Sequence, residues 1–105
     1  MNYTVQYTER AKGDLRNLFG YIYGTLLEPG IAAKQARRIV EGIRSLEEFP
    51  LRYPLYEHEP WHSRGLRCFP IDRQLVFYFV DEEAASVFIM RILYGGRDIK
   101  KWLSC

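Results

Sequence analysis

Apolar and polar residues alternate at the start of the chain. Tyr3, Val5 and Tyr7 are each separated by one polar residue, which is the period of a short strand with one buried face. The pattern predicts a strand over residues 2–7.

Two stretches with helical spacing follow. Thr8 is placed to cap the first, in which apolar residues recur every three or four positions: Ala11, Leu15, Leu18, Ile22 and Leu26. The breaker Glu28-Pro29-Gly30 separates it from a second apolar stripe: Ala32, Ala36, Ile39, Ile43 and Leu46. Because the connection is short, we predict two antiparallel helices near residues 8–27 and 30–48.

An irregular aromatic segment, residues 49–62, comes after the helices. Its three prolines each remove a backbone donor and disfavour regular structure: Pro50, Pro54 and Pro60. We predict a loop that stays ordered by burying Tyr53, Tyr56 or Trp61.

The rest of the chain has the composition of strands. The predicted strands cover residues 66–69, 74–80 and 86–93, and the polar turn 81–84 joins the last two as a hairpin. Both long strands are apolar at nearly every position, which indicates either a sheet covered on both faces or a central pair packed against helices. Gly95-Gly96 ends the sheet, and residues 97–103 form a last helical turn or a basic tail. The order β-α-α-β-β-β is an α+β fold.

Composition narrows the class of protein. The length of 105 residues fits a single domain, 1–105, and 48% hydrophobic residues suffice for a packed core. No apolar run is long enough to cross a membrane, and the first residues do not resemble a signal peptide, so we expect a cytoplasmic protein. The net charge of +2 confines any nucleic-acid contact to a local cluster. Cys68 and Cys105 belong to no ligand motif, and we expect free thiols and neither metal nor cofactor.

The order of these elements resembles the RelE/ParE family of bacterial toxins across essentially the whole chain. Residues 3–15 are similar to the strand-to-helix entry of the family, and residues 36–50 to its second helix and the proline behind it. Residues 64–67, 75–81 and 87–98 are similar to its three sheet strands and C-terminal arginine. The resemblance implies the toxin of a type II toxin–antitoxin system, with an antiparallel helical hairpin packed on an antiparallel sheet.

The family contains two modes of action, and a shared fold does not choose between them. RelE-like members are ribosome-dependent mRNA endonucleases that use no metal, and ParE-like members poison DNA gyrase. The sequence favours mRNA cleavage slightly, because Arg67 and Arg97 fall where RelE-like enzymes place a strand lysine and a C-terminal arginine. A ParE-like gyrase poison is the first alternative, and a non-toxic, degenerate binding module of the same fold is the second.

Cleavage of RNA by its own 2′-hydroxyl needs a proton acceptor, a proton donor and cations against the phosphorane charge. We expect catalytic roles for Arg67, Arg97 and Tyr94, in which Tyr94 replaces a late tyrosine of the family that falls near Leu103 here. The family's mid-sheet arginine falls on Gln74, one residue after Arg73. Substrate-binding cations are expected at Arg64, Arg73, Lys100 and Lys101, and an acid or base at His58 or His62. The alternative for the arginines is solvation or pairing with Asp72, Asp81 or Asp98, and for the histidines a surface hydrogen bond.

The resemblance also implies partners. A cognate antitoxin with a disordered segment that folds on the toxin is expected, together with the ribosome and mRNA or, in the alternative, DNA gyrase.

Removal of Arg97 from a nuclease should slow cleavage by on the order of 100-fold with little change in stability.

Overall fold

The computed structural model of the chain describes residues 2–25, 28–96 and 99–103, and for Thr25, Lys100 and Trp102 the backbone only. The strands are β1 (Thr4–Tyr7), β2 (Arg67–Ile71), β3 (Gln74–Asp81) and β4 (Ser86–Tyr94). The helices are α1 (Glu9–Thr25), α2 (Pro29–Arg44), α3 (Trp61–Arg64) and α4 (Ile99–Leu103), and two short 3₁₀ turns cover Ser45–Glu47 and Pro50–Arg52. Within this described part, no helix combines the length and apolar character needed to span a bilayer.

The strands form one sheet in the order β1-β4-β3-β2. The pairs β2–β3 and β3–β4 are antiparallel, as predicted, and a bulge interrupts the second pair between Phe77 and Tyr78. The prediction of a fully antiparallel sheet is wrong at β1, which joins β4 in parallel. Alternation in a sequence indicates which side of a strand is buried, but it carries no information on the direction of the neighbouring strand.

The helical hairpin covers one face of this sheet. Thr8 caps α1 as predicted, since its hydroxyl accepts a hydrogen bond from the amide of Ala11. The predicted stripes of α1 and α2 bury Leu18, Ile22, Ile39 and Ile43 against residues of β3 and β4. The centre of the sheet is the β3–β4 pair, in agreement with the prediction.

The second face of the sheet is covered by the segment after α2 and by α4. Leu66, Phe77 and Leu93 are buried there under Leu103, with Tyr56 and Trp61 packed at the side. The sheet therefore has cover on both faces, which accounts for the continuous apolar character of β3 and β4. As predicted, the irregular segment partly buries aromatic rings, one on each face of the sheet. Tyr53 stacks on Phe69 at 4.2 Å in the cluster under the helices, and Tyr56 meets Phe77 edge-on at 5.4 Å on the second face.

A buried ion pair joins α1 to the part of β4 beyond the end of β1. The β1–β4 register ends at Tyr7–Ile89, and the amide of Ile92 donates instead to the Asp14 carboxylate at 3.0 Å. The same carboxylate accepts two hydrogen bonds from Arg91, at 2.8 and 2.9 Å. The two side chains are only 11% and 13% exposed. Because its carboxylate accepts from a backbone amide of β4, Asp14 takes the place of a neighbouring strand at this position.

Candidate functional site

Arg67, a predicted catalytic residue, begins β2 and points to the segment that follows α2. Its Nη1 donates to the carbonyl oxygens of Tyr53 at 2.6 Å and of Leu51 at 3.3 Å. The side chain is half-buried. Its guanidinium group therefore binds the backbone of this chain.

The contacts of Arg67 are part of a larger set that holds residues 48–53, which we call the Phe49 loop. The guanidinium of Arg52 donates to the carbonyls of Glu48 and Phe49, at 2.6 and 3.1 Å. The buried hydroxyl of Tyr78 donates to the carbonyl of Pro50 at 2.6 Å. Burial raises the pKa of Tyr78 to about 12, although the nearby cations of Arg67 and Arg52 act in the opposite direction.

The Phe49 loop also carries two apolar side chains on its outer side. Phe49 is 79% exposed and Leu51 is 44% exposed. Phe49 has a φ of 50°, in the left-handed region. No sequence signal predicted either feature, because left-handed positions are usually glycine or asparagine.

A second group of predicted residues lies at the opposite end of the sheet. Tyr94 ends β4 opposite Gln74, is 43% exposed, and lies against Gly96, where an added Cβ would be 2.5 Å from its ring. The carbonyl of Arg73 accepts from the amide of Gly95 at 2.9 Å, so the turn carrying Arg73 lies beside the end of β4. Arg97, the other predicted catalytic cation, lies outside the described residues.

A third group lies around α3, next to the second face of the sheet. The Nδ1 atom of His62 is 3.0 Å from the carbonyl oxygen of Tyr56, an acceptor, so the neutral ring carries its proton on Nδ1. His58 lies 3.5 Å from Glu57 and edge-on to Tyr56, and the guanidinium of Arg64 lies 5.3 Å from the Trp61 ring. The hydroxyl and amide of Ser63 donate to the Glu59 carboxylate and lower its pKa.

The predicted residues thus fall at separate places on the sheet. Arg67 pairs with Tyr78 and Tyr94 pairs with Gln74, four residues along β3, which is roughly 13 Å of strand. Lys101 is exposed on α4, and the side chain of Lys100 lies outside the described part. Across the described ranges, no three His, Cys, Asp or Glu side chains are placed to hold a metal ion. Cys68 is half-buried and unbonded, and Cys105 lies outside the described residues.

A cleft of about 240 Å³ opens between the start of α1, α3 and α4. Its lining is mostly apolar, with Trp61, Leu66, Phe79 and Met90, and Arg10 and Arg91 are its cationic residues. Neither histidine nor Tyr94 contributes to it. The cleft is therefore separate from the residues predicted to do acid–base chemistry.

Comparison with known proteins gives a match at the level of a family. The model of the ParE toxin of the type II toxin–antitoxin system parDE matches residues 5–99. No curated protein sequence matches the chain.

Solved toxin structures share the fold. The chromosomal ParDE toxin–antitoxin system of P. aeruginosa aligns with a TM-score of 0.67 and 22% identity, over 88% of this chain and 95% of the other. The RelBE2 toxin–antitoxin complex of Mycobacterium tuberculosis aligns with a TM-score of 0.63 and 26% identity, over 90% and 99%. A mutant of the E. coli toxin RelE in the free state aligns at 0.63 with 15% identity, over 99% and 93%.

Proposed function

This chain belongs to the ParE toxin family and is the toxin of a type II toxin–antitoxin system, and we propose that it arrests growth by binding and poisoning DNA gyrase. The sequence alone favoured mRNA cleavage slightly. The positions of the predicted residues favour the ParE-like alternative instead.

The observation that carries this proposal is the pair of hydrogen bonds that Arg67 donates to the backbone. A phosphate-binding arginine needs its donors free for the substrate, because it acts through paired N–H···O bonds to phosphate oxygens. The Nη1 donors of Arg67 instead bind the carbonyls of Leu51 and Tyr53, which removes one side of the paired contact. Its contacts are those of a residue that shapes a loop.

The separation of the other candidates supports the same reading. General acid–base catalysis requires the proton acceptor and donor within hydrogen-bond reach of one substrate group. Tyr94 lies at one end of the sheet, whereas His58 and His62 lie around α3 next to the second face. Tyr94 with Arg73 and the histidines with Arg64 therefore form two separate groups, and Arg67 lies apart from Tyr94 along the sheet.

A specific observation favours mRNA cleavage as the second candidate. Tyr94 is 43% exposed beside the turn that carries Arg73, and the Gly95-Gly96 pair leads from it to Arg97. In that case Arg97 would stabilise the charge of the phosphorane, and Tyr94 would stack on a base or relay a proton.

The cognate antitoxin is the partner that the family implies, since the ParDE and RelBE2 relatives are described as toxin–antitoxin systems or complexes. An antitoxin segment that folds on this toxin would neutralise it. The expected source of the antitoxin is the reading frame beside the toxin gene.

The test of the proposed function uses purified toxin in two assays. We expect the toxin to inhibit supercoiling of relaxed plasmid by gyrase, with relief by the antitoxin, and to leave ribosome-bound mRNA intact. In cells, DNA synthesis should stop before protein synthesis in the first minutes after induction. If mRNA is cut and Arg97→Ala slows the cutting about 100-fold without lowering the melting temperature, the second candidate replaces the first. A chain that stops neither process is the degenerate binding module.

A further inference from the structure

Phe49 combines two features that are unfavourable for the isolated fold. The residue is 79% exposed to solvent, and its backbone has a φ of 50°. The left-handed region is disfavoured for a large side chain, whereas glycine or asparagine adopts it more readily. Burial of the ring in the core does not offset this strain, because most of the ring is outside the core.

The loop that carries Phe49 is nevertheless held firmly. The carbonyls of residues 48, 49, 50, 51 and 53 all accept hydrogen bonds from side chains: Arg52, Tyr78 and Arg67. Arg52 also donates to the Ser45 hydroxyl at 2.7 Å and lies 4.6 Å from the centre of the Tyr53 ring, which stacks on Phe69. The backbone that carries Phe49 is therefore held in place before any partner binds.

A protruding aromatic side chain on a backbone that is already held in place suits one kind of partner. Binding hot spots are commonly aromatic residues that enter a desolvated pocket, and they bind more tightly when they are ordered in advance. An antitoxin segment that folds on the toxin presents its own side chains to grooves of the toxin. A protruding ring needs the reverse, a pocket, and pockets are formed by folded proteins.

We propose that Phe49, together with Leu51, is the anchor by which the toxin docks into an apolar pocket of its folded target protein. This inference rests on the proposed function, in which the target is gyrase. Arg67 and Tyr78 are positioning residues of the anchor, since they act through the loop carbonyls. Phe49 enters the pocket of the target, and the antitoxin binds elsewhere.

The test compares three variants with the parent. Phe49→Asn removes the ring and keeps a residue that tolerates the left-handed backbone, and Phe49→Tyr keeps a ring. Tyr21→Ala is the matched control, because Tyr21 is an aromatic residue of α1 that is 66% exposed. Affinity for purified gyrase, affinity for the antitoxin, growth inhibition and melting temperature are measured for each protein.

We expect Phe49→Asn to bind gyrase about 30-fold more weakly or worse and to lose growth inhibition. Its affinity for the antitoxin should match that of the parent, and its melting temperature should be equal or higher, because asparagine adopts the left-handed backbone more readily. Phe49→Tyr and Tyr21→Ala should remain active. The inference is overturned if Phe49→Asn binds gyrase as the parent does, or if it loses antitoxin binding to the same extent.

Failure of the proposed function gives a different result. In that case the parent itself does not bind gyrase, and the growth inhibition caused by Phe49→Asn tests the role of Phe49 instead. Unchanged toxicity of Phe49→Asn then overturns it. Lost toxicity with intact folding and antitoxin binding supports the anchor with another folded target.

Discussion

Tyr78 links the centre of the sheet to the Phe49 loop. It is fully buried on β3, and its hydroxyl donates to the carbonyl of Pro50 at 2.6 Å. Loss of the hydroxyl would leave that carbonyl without this donor, which for a buried group costs about 1–3 kcal/mol. The ring itself would still fill its place in the core.

We predict that Tyr78→Phe lowers the free energy of unfolding at neutral pH by about 1–3 kcal/mol and reduces toxicity through the loosened loop. Denaturant unfolding monitored by fluorescence measures the first effect. Tyr94→Phe is the control, because Tyr94 is 43% exposed and its hydroxyl can bind water. Equal stability of the parent and Tyr78→Phe would show that the hydroxyl does not hold the loop.

The same variant gives a pH signature. The pKa of Tyr78 rises from 10.0 to about 12 on folding. Above pH 10 the unfolded tyrosine loses its proton while the folded one keeps it, so stability should fall between pH 10 and 12. Tyr78→Phe should lack this part of the alkaline loss. Cys68, whose pKa burial raises to about 11, adds an alkaline loss that both proteins share.

The sequence identified residue positions better than residue roles. It placed Arg67 near the start of a strand, which is confirmed, and it ended the last strand at Leu93, one residue before Tyr94, the last residue of β4. It could not show that Arg67 faces carbonyls of residues 51 and 53, because that contact requires the loop to fold back over β2. It also gave no sign of Phe49, whose importance depends on a backbone angle.

At the scale of elements, the Asp14–Arg91 pair joins α1 to β4. Breaking a buried ion pair by removing one partner leaves the other charge uncompensated and typically costs about 3–5 kcal/mol. Here the amide of Ile92 would lose its acceptor as well. The packing of α1 against the part of β4 beyond Ile89 should therefore depend strongly on Asp14.

We predict that Asp14→Ala lowers the free energy of unfolding by about 3–5 kcal/mol. Lys12→Ala is the control, because it breaks the exposed pair with Glu9 on the same helix and should cost less than about 1 kcal/mol. Both are measured by denaturant unfolding under the same conditions. Similar small losses for the two variants would mean that water replaces Asp14 along the edge of β4.

The long helices and the strands could be predicted from the sequence because the hydrophobic pattern of each is strong. The stripes of α1 and α2 fix their buried faces, and the apolar runs of β3 and β4 reflect cover on both faces. The parallel pairing of β1 was not predictable, since it depends on where the helical hairpin returns the chain. The short helices around residues 50–52 and 61–64 were missed for lack of a repeating pattern.

At the scale of the whole molecule, the core consists of two packed layers, one on each face of the central strands β3 and β4. Ile43 belongs to the layer under the helices and Leu103 to the layer on the opposite face of the sheet. Both side chains are buried, at 0% and 6% exposure. Because the sheet separates them, substitutions at the two positions should act independently.

We predict that Ile43→Val costs about 1 kcal/mol and Leu103→Ala about 2–4 kcal/mol of unfolding free energy. The double variant should lose the sum within about 0.5 kcal/mol and still unfold in one transition. Fluorescence and circular dichroism followed together test both statements. Two separated transitions would contradict a single cooperative unit.

The parallel pairing of β1 with β4 has a consequence for the order in which the chain folds. The hydroxyl of Thr8 donates to the carbonyl of Ile89 across 81 residues of sequence, and among the described strands β1 pairs with β4 alone. The closure entropy of so long a loop opposes this pairing until other contacts have drawn the ends together. During synthesis β1 leaves the ribosome first, yet its docking site does not exist until β4 has been made and has paired with β3. The first strand of the chain is therefore among the last to be placed, and an interrupted nascent chain that lacks β4 cannot assemble the toxin.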